Sequence, residues 1–152
     1  MGTRACGSTP PNLGPPPPIG AIDTLDAGGY LALLKRLRAR DEPIVYAPAY
    51  RRGLEEPIAA SIEVPRATPF IITEGNYLLV DQEPRKQIRT YLDEVWFVQV
   101  LGETRIGRLI DRHVSFGKER GAATAWALGP DENNAEFIES TRTRADHVID
   151  WS

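Results

Sequence analysis

Phe70-Ile71-Ile72-Thr73-Glu74-Gly75-Asn76-Tyr77-Leu78-Leu79 is the stretch from which the fold is read. Pro69 to Thr73 is a short run dominated by apolar strand formers, of the kind buried on both faces of a sheet. It stops at an acid and a glycine. Working outward, Ile44-Val45-Tyr46 reads as a short strand stopped by Pro48, Glu94 to Val100 as a third strand and His147 to Trp151 as a fourth. Between them the apolar period lengthens. After Asp26, a good N-cap type, Tyr30, Leu31, Leu33, Leu34 and Leu37 recur at helical spacing. Further helical patterns cover 84–93, 103–114, 118–128 and 132–145. Short apolar strands alternating with amphipathic helices predict an α/β fold, a parallel sheet with helices on both faces.

Composition narrows the function classes. The chain has 152 residues, 41% hydrophobic and 26% charged, with a formal net charge of −3. That balance argues against a nucleic-acid binder held by bulk positive charge. No apolar run approaches the length of a membrane span, so no membrane partner is expected. A lone Cys6 excludes an internal disulfide and suits a reducing cytoplasm. Six of the 13 prolines fall within Met1 to Ile19, which has no apolar core for a secretory signal. Residues 1–19 are therefore expected to be a disordered, proline-rich leader, and 20–152 the folded domain.

Glu74 is the carboxylate with most chemical potential. In an open α/β sheet the carboxyl ends of strands face the ligand crevice, and a carboxylate there suits a hydrated Mg²⁺ beside phosphates. A capping or turn role fits the same spacing. Arg105, Arg108 and Arg112 form one cationic stripe on their helix, able to meet a transferred phosphoryl group or simply solvent. Ile106, Leu109, Ile110 and His113 lie on the adjacent, inward face. The segment from Tyr46 to Ile58 mixes aromatics with Arg51, Arg52, Glu55 and Glu56, as a recognition loop or a plain connector. Asn134 shares a helix face with Phe137, Ile138 and Thr141, near the interior or a cleft. Trp96, Trp126 and Trp151 read as packing residues.

Four pieces in order, F70-I-I-T-E-G-N-Y-L-L, L92-D-E-V-W-F-V-Q-V, R105-I-G-R-L-I-D-R-H and T141-R-T-R-A-D-H-V-I, together resemble the P-loop kinases of the uridine kinase, phosphoribulokinase and pantothenate kinase group. Y46-A-P-A-Y-R-R-G-L-E-E-P-I matches the nucleoside/nucleotide kinase branch in outline, and the likeness runs from about Gly20 to Trp151. The resemblance implies a three-layer P-loop kinase-like fold and ATP-dependent transfer of a phosphoryl group to a hydroxyl of a nucleoside, sugar or pantothenate-like acceptor. It implies Glu74 beside Mg²⁺, and Arg105, Arg108 and Arg112 in a lid over ATP, Arg108 and Arg112 acting in catalysis. Tyr46, Tyr50, Arg52, Asn76, Tyr77 and Asn134 would face the acceptor.

Parts of that family's pattern are missing from these residues. No G-x-x-x-x-G-K-[ST] occurs, since Gly117-Lys118 is followed by Glu119. The strand ending in the family's general-base Asp is not found either. The group usually has an aromatic, Asp and Arg where this sequence has Tyr50-Arg51-Arg52. The expectation is an N-terminally truncated kinase domain lacking the first strand–P-loop–helix–strand unit, inactive on its own and prone to homo-oligomerise through exposed sheet edges. The alternative is a non-catalytic remnant or binding module.

Overall fold

The computed structural model describes Ile22 and residues 25–51 and 56–151. The leader expected over 1–19 and Arg52 lie outside the described residues. The chain divides into two compact units, Met1–Leu92 and Asp93–Ser152.

The first unit is built on helix α1 (Ala27–Ala39). Asp26 starts it as expected, its carboxylate accepting from the Gly29 amide at 2.8 Å. Arg40 ends it in the left-handed region (φ 52), and Arg36 and Arg38 sit in its last turn, where cations complement the helix dipole. Tyr30, Leu31 and Leu34 bury the apolar stripe against Ile88, with Leu78, Tyr91 and Leu92 packed around them.

Strand β1 (Ile44–Arg51) does not stop at Pro48. It pairs antiparallel with β2 (Glu56–Pro65), an element the sequence reading did not separate from the connector. The register runs from Ile44 opposite Pro65 to Ala47 opposite Ile62, then resumes with Ala49 opposite Ile58. Pro48 falls at this irregularity, where its missing N–H breaks no regular ladder. The extra residues on β2 bulge out, and Ala60 takes a left-handed conformation (φ 53) there.

The strand expected over 69–73 is not paired. From Thr68 to Gly75 the chain runs without turn, bend or ladder, and no strand among the described residues is hydrogen-bonded to it. Phe70 and Ile72 are 84% and 94% exposed. Apolar character on both faces makes a run suitable for a sheet interior, but a strand exists only with a neighbour to accept its hydrogen bonds. The helix expected over 84–93 is a 3-10 helix, Arg85–Tyr91. Its Thr90 hydroxyl bonds the Gln87 carbonyl at 2.8 Å, three residues back.

In the second unit, β3 (Trp96–Gln99) and β4 (His147–Asp150) form a parallel ladder, Trp96 opposite His147 through Gln99 opposite Asp150. The crossover holds α2 (Gly102–Ser115), α3 (Arg120–Leu128) and α4 (Pro130–Glu139). Glu119 caps α3 by accepting from the Ala122 amide at 3.0 Å. Gly129-Pro130 separates α3 from α4, because proline suits a first helical turn but not an interior. The helix expected to reach 145 stops at Glu139. The Ser140 and Thr141 hydroxyls bond the Phe137 and Ile138 carbonyls at 2.6 and 2.7 Å, competing with helix continuation, and a 3-10 turn, Arg142–Arg144, follows. Asp146 locks the ladder's start, its carboxylate accepting from the Val95 amide at 2.7 Å. Trp126 is half-buried on α3, whereas Trp96 and Trp151 are exposed. No helix among the described residues is long and apolar enough to cross a membrane.

Candidate functional site

In the first unit the backbone after Thr73 turns directly into a cavity. Gly75, Asn76, Tyr77 and Leu78 line one side of it, and Leu25, Asp26, Ala27 and Tyr30 at the start of α1 line another. Arg85 and Ile88 complete the lining. Its volume is about 50 Å³, room for a small polar group or a few waters. Asn76 is exposed at its mouth, while Tyr77 is buried. The Arg85 guanidinium donates through one nitrogen to the carbonyls of Ile22 and Leu25, holding the chain that leads into α1.

Glu74 stands one residue ahead of this lining and is exposed. Its charge reaches the Tyr30 phenol. Burial is the larger cause holding that phenol above the ordinary tyrosine range, and the Glu74 charge adds to it, whereas the bond to Thr73 acts the other way. The phenol oxygen lies 2.7 Å from the Thr73 hydroxyl.

Asn76 and Tyr77 share the lining of this cavity, with Glu74 beside them in the chain. Tyr46 and Tyr50 sit on β1, both exposed and neither in the cavity lining. Asp26, Tyr30 and Arg85 are cavity residues the sequence reading did not select. Tyr30 was hidden inside an apolar helical stripe, where an aromatic ordinarily signals packing. Asp26 was recognised, but only as a cap. Nothing in the pattern around Arg85 distinguished it from a solvated arginine.

In the second unit α2 carries the three arginines, and they are not equivalent. Arg105 is partly buried and donates to Glu132 in the first turn of α4 at 2.6 Å, and one of its remaining guanidinium nitrogens is buried without a partner. His113, on the same helix, lies 2.7 Å from Asp131, Glu132's neighbour. Arg108 and Arg112 are exposed. Asn134, two residues beyond Glu132 on α4, is half-buried. Thus α2 is clamped to the start of α4 by two carboxylates, leaving a stripe of two arginines toward solvent. Among the described residues no group of three His, Cys, Asp or Glu converges as a metal site. Mg²⁺ needs no such group, since it retains several waters and takes one or two carboxylates with phosphate oxygens. An exposed Glu74 fits that demand.

Comparison with known proteins places this architecture. No family model matches the chain. An ATP-dependent kinase-like protein, notR', from Aspergillus versicolor is 33% identical over 135 residues, covering 86% of this chain and 78% of the relative. A candidate fructose transport system kinase from Silicibacter sp. TM1040, known from a crystal structure, superposes with a TM-score of 0.77 at 32% identity, over 86% of this chain and 62% of that one. YFH7 from Saccharomyces cerevisiae, described as a candidate P-loop-containing kinase with a circular permutation, superposes at 0.74 with 21% identity, over 87% and 49%. It bears on the fold alone. The chain thus spans between about half and four-fifths of these relatives' lengths. The α/β fold is that of the P-loop kinases, as the sequence led one to expect.

Proposed function

The chain belongs to the P-loop kinase-like family, and on that premise we propose that its residues serve ATP-dependent phosphoryl transfer to a hydroxyl of a small molecule, a nucleoside, sugar or pantothenate-like acceptor. The observation that carries this reading is the junction at Glu74. An exposed carboxylate ends an apolar run and is followed at once by Gly75, Asn76 and Tyr77, which line a cavity.

In this reading Asn76 and Tyr77 meet the acceptor in unit one, and the family resemblance gives acceptor-facing roles to Tyr46, Tyr50, Arg52 and Asn134 as well. Glu74 would hold Mg²⁺ through the metal's water shell, and bound Mg²⁺-ATP would supply the transferred group with its charge partly neutralised. Arg108 and Arg112 bring planar, always-charged forks to the phosphate oxygens. Arg105 takes part in the lid from its ion pair with Glu132, which sets the angle at which α2 presents the other two. Positioning and electrostatics do most of the work in such a transfer, and a cavity, a metal-side carboxylate and a cationic stripe are parts it uses.

A second reading rests on a specific observation, the lack of a G-x-x-x-x-G-K-[ST] within these 152 residues. The backbone amides and lysine of that loop are the principal phosphate ligands in P-loop enzymes. On this reading residues 1–152 bind an acceptor without turning over ATP. An ADP-release assay with Mg²⁺-ATP and a panel of nucleosides, sugars and pantothenate decides between them. We expect no acceptor-dependent ADP from this chain, and release above the acceptor-free blank would establish catalysis instead.

A further inference from the structure

We propose that Tyr30 is the positioning residue for Glu74, tethering through Thr73 the end of a segment that no ladder holds. The inference deepens the phosphoryl-transfer reading and rests on it only for the purpose of the carboxylate.

The backbone between Thr68 and Gly75 is not paired to any strand among the described residues. A chain in that condition has many accessible conformations, and fixing each residue opposes an entropy of about 1–2 kcal/mol. A backbone without a ladder presents its side chains less rigidly than a strand does. Tyr30 supplies one restraint. Its ring is 7% exposed, packed with Leu31, Leu34 and Ile88 in the first unit's core. Its hydroxyl leaves that core and meets the Thr73 hydroxyl at 2.7 Å, across 43 residues of sequence. A buried phenol needs a hydrogen-bond partner, so this contact is favoured from both ends. Thr73 immediately precedes Glu74, and pinning its side chain fixes the backbone from which the carboxylate projects.

The position is also telling. Leu31 or Leu34 could pack against Ile88 without any hydroxyl, and phenylalanine would fill the Tyr30 volume. A polar atom at this place in an apolar stripe has a partner outside the core.

The test uses the whole chain labelled with ¹⁵N. Backbone order parameters for Glu74 and Gly75 should lie near the rigid value of about 0.85 and fall below about 0.6 in Tyr30→Phe, with those of Leu31, Leu34 and Ile88 unchanged. Thr73→Val removes the other end of the same bond and should do the same, and the double variant should add nothing. Mn²⁺ alone, as a paramagnetic probe, should broaden the Glu74–Asn76 amides, with about tenfold weaker affinity in Tyr30→Phe and complete loss in Glu74→Gln. Rigid Glu74 and Gly75 in a folded Tyr30→Phe would overturn the proposal, as would mobility there already in the unaltered chain. Should Glu74→Gln leave Mn²⁺ broadening intact, the metal-side reading of Glu74 fails, while the order parameters still decide the tether.

Discussion

The two units of this chain are held together by different physics. The first packs Tyr30, Leu31, Leu34 and Ile88 in one apolar cluster on α1 and also buries Val45, Ala47, Tyr77, Leu79 and Val80. In the second, neither α2 nor α4 has a fully buried residue, and Val95, Ala123 and Ala127 are the buried apolar side chains. There the contacts between elements include Arg105–Glu132, His113–Asp131 and the Asp146–Val95 bond. The cavity thus stands on an apolar, non-directional core, whereas the arginine stripe stands on ion pairs that salt screens. A natural probe separates them, because all 5 tyrosines fall in the first unit and all 3 tryptophans in the second.

The largest effect tests the apolar side. Ile88 is 2% exposed, and Ile88→Ala should destabilise the first unit by about 2–5 kcal/mol, seen in the near-ultraviolet signal of the tyrosines. A tryptophan signal that moved equally would break the comparison. Next, Asp146→Ala removes a carboxylate from the Val95 amide and should cost the second unit about 1.5–3 kcal/mol, read by tryptophan fluorescence in a denaturant titration. Glu132→Gln should cost about 1 kcal/mol, and raising the salt concentration should erode the stability of the unaltered second unit more than that of the first.

Smaller effects sharpen the same contrast. Ala60 sits at φ 53, a strained conformation for a side chain, so Ala60→Gly should stabilise the hairpin by at most about 1 kcal/mol. Acid gives the least effect, one group per unit. Hydrogen bonding to Arg36 lowers the range of Glu42, and the amides of Gly121 and Ala122 lower that of Glu119. A depressed carboxylate stabilises the fold above its unfolded range and loses that contribution as pH falls through its folded value. Glu42→Gln and Glu119→Gln should therefore each flatten the acid limb of their own unit's stability curve.

Much of this was legible in the sequence, and the exceptions share a cause. Asp26 capping α1, the α2 stripe and the parallel β3–β4 ladder follow from local chemistry and period. The β1–β2 hairpin was missed because Pro48 looked like a stop, although Ile62-Glu63-Val64 alternates as a half-buried strand does. Pro69 to Thr73 reads as a strand from its side chains alone, yet pairing depends on a neighbour that composition does not reveal. At the candidate site the motif residues Glu74, Asn76 and Tyr77 were visible, whereas Tyr30 and Arg85 reach it only through tertiary contacts. Arg105 likewise looked equal to Arg108 and Arg112 until Glu132 came beside it.

In the proposed function the Gly75–Tyr77 cavity takes only the hydroxyl-bearing end of the acceptor. Calorimetric titration of nucleosides, sugars and pantothenate into the chain and into Asn76→Ala measures this most directly. Saturable binding of at least one acceptor is expected, weakened about tenfold or more by Asn76→Ala with the melting temperature unchanged. Binding by none of them, or equal affinity in the folded variant, would contradict it.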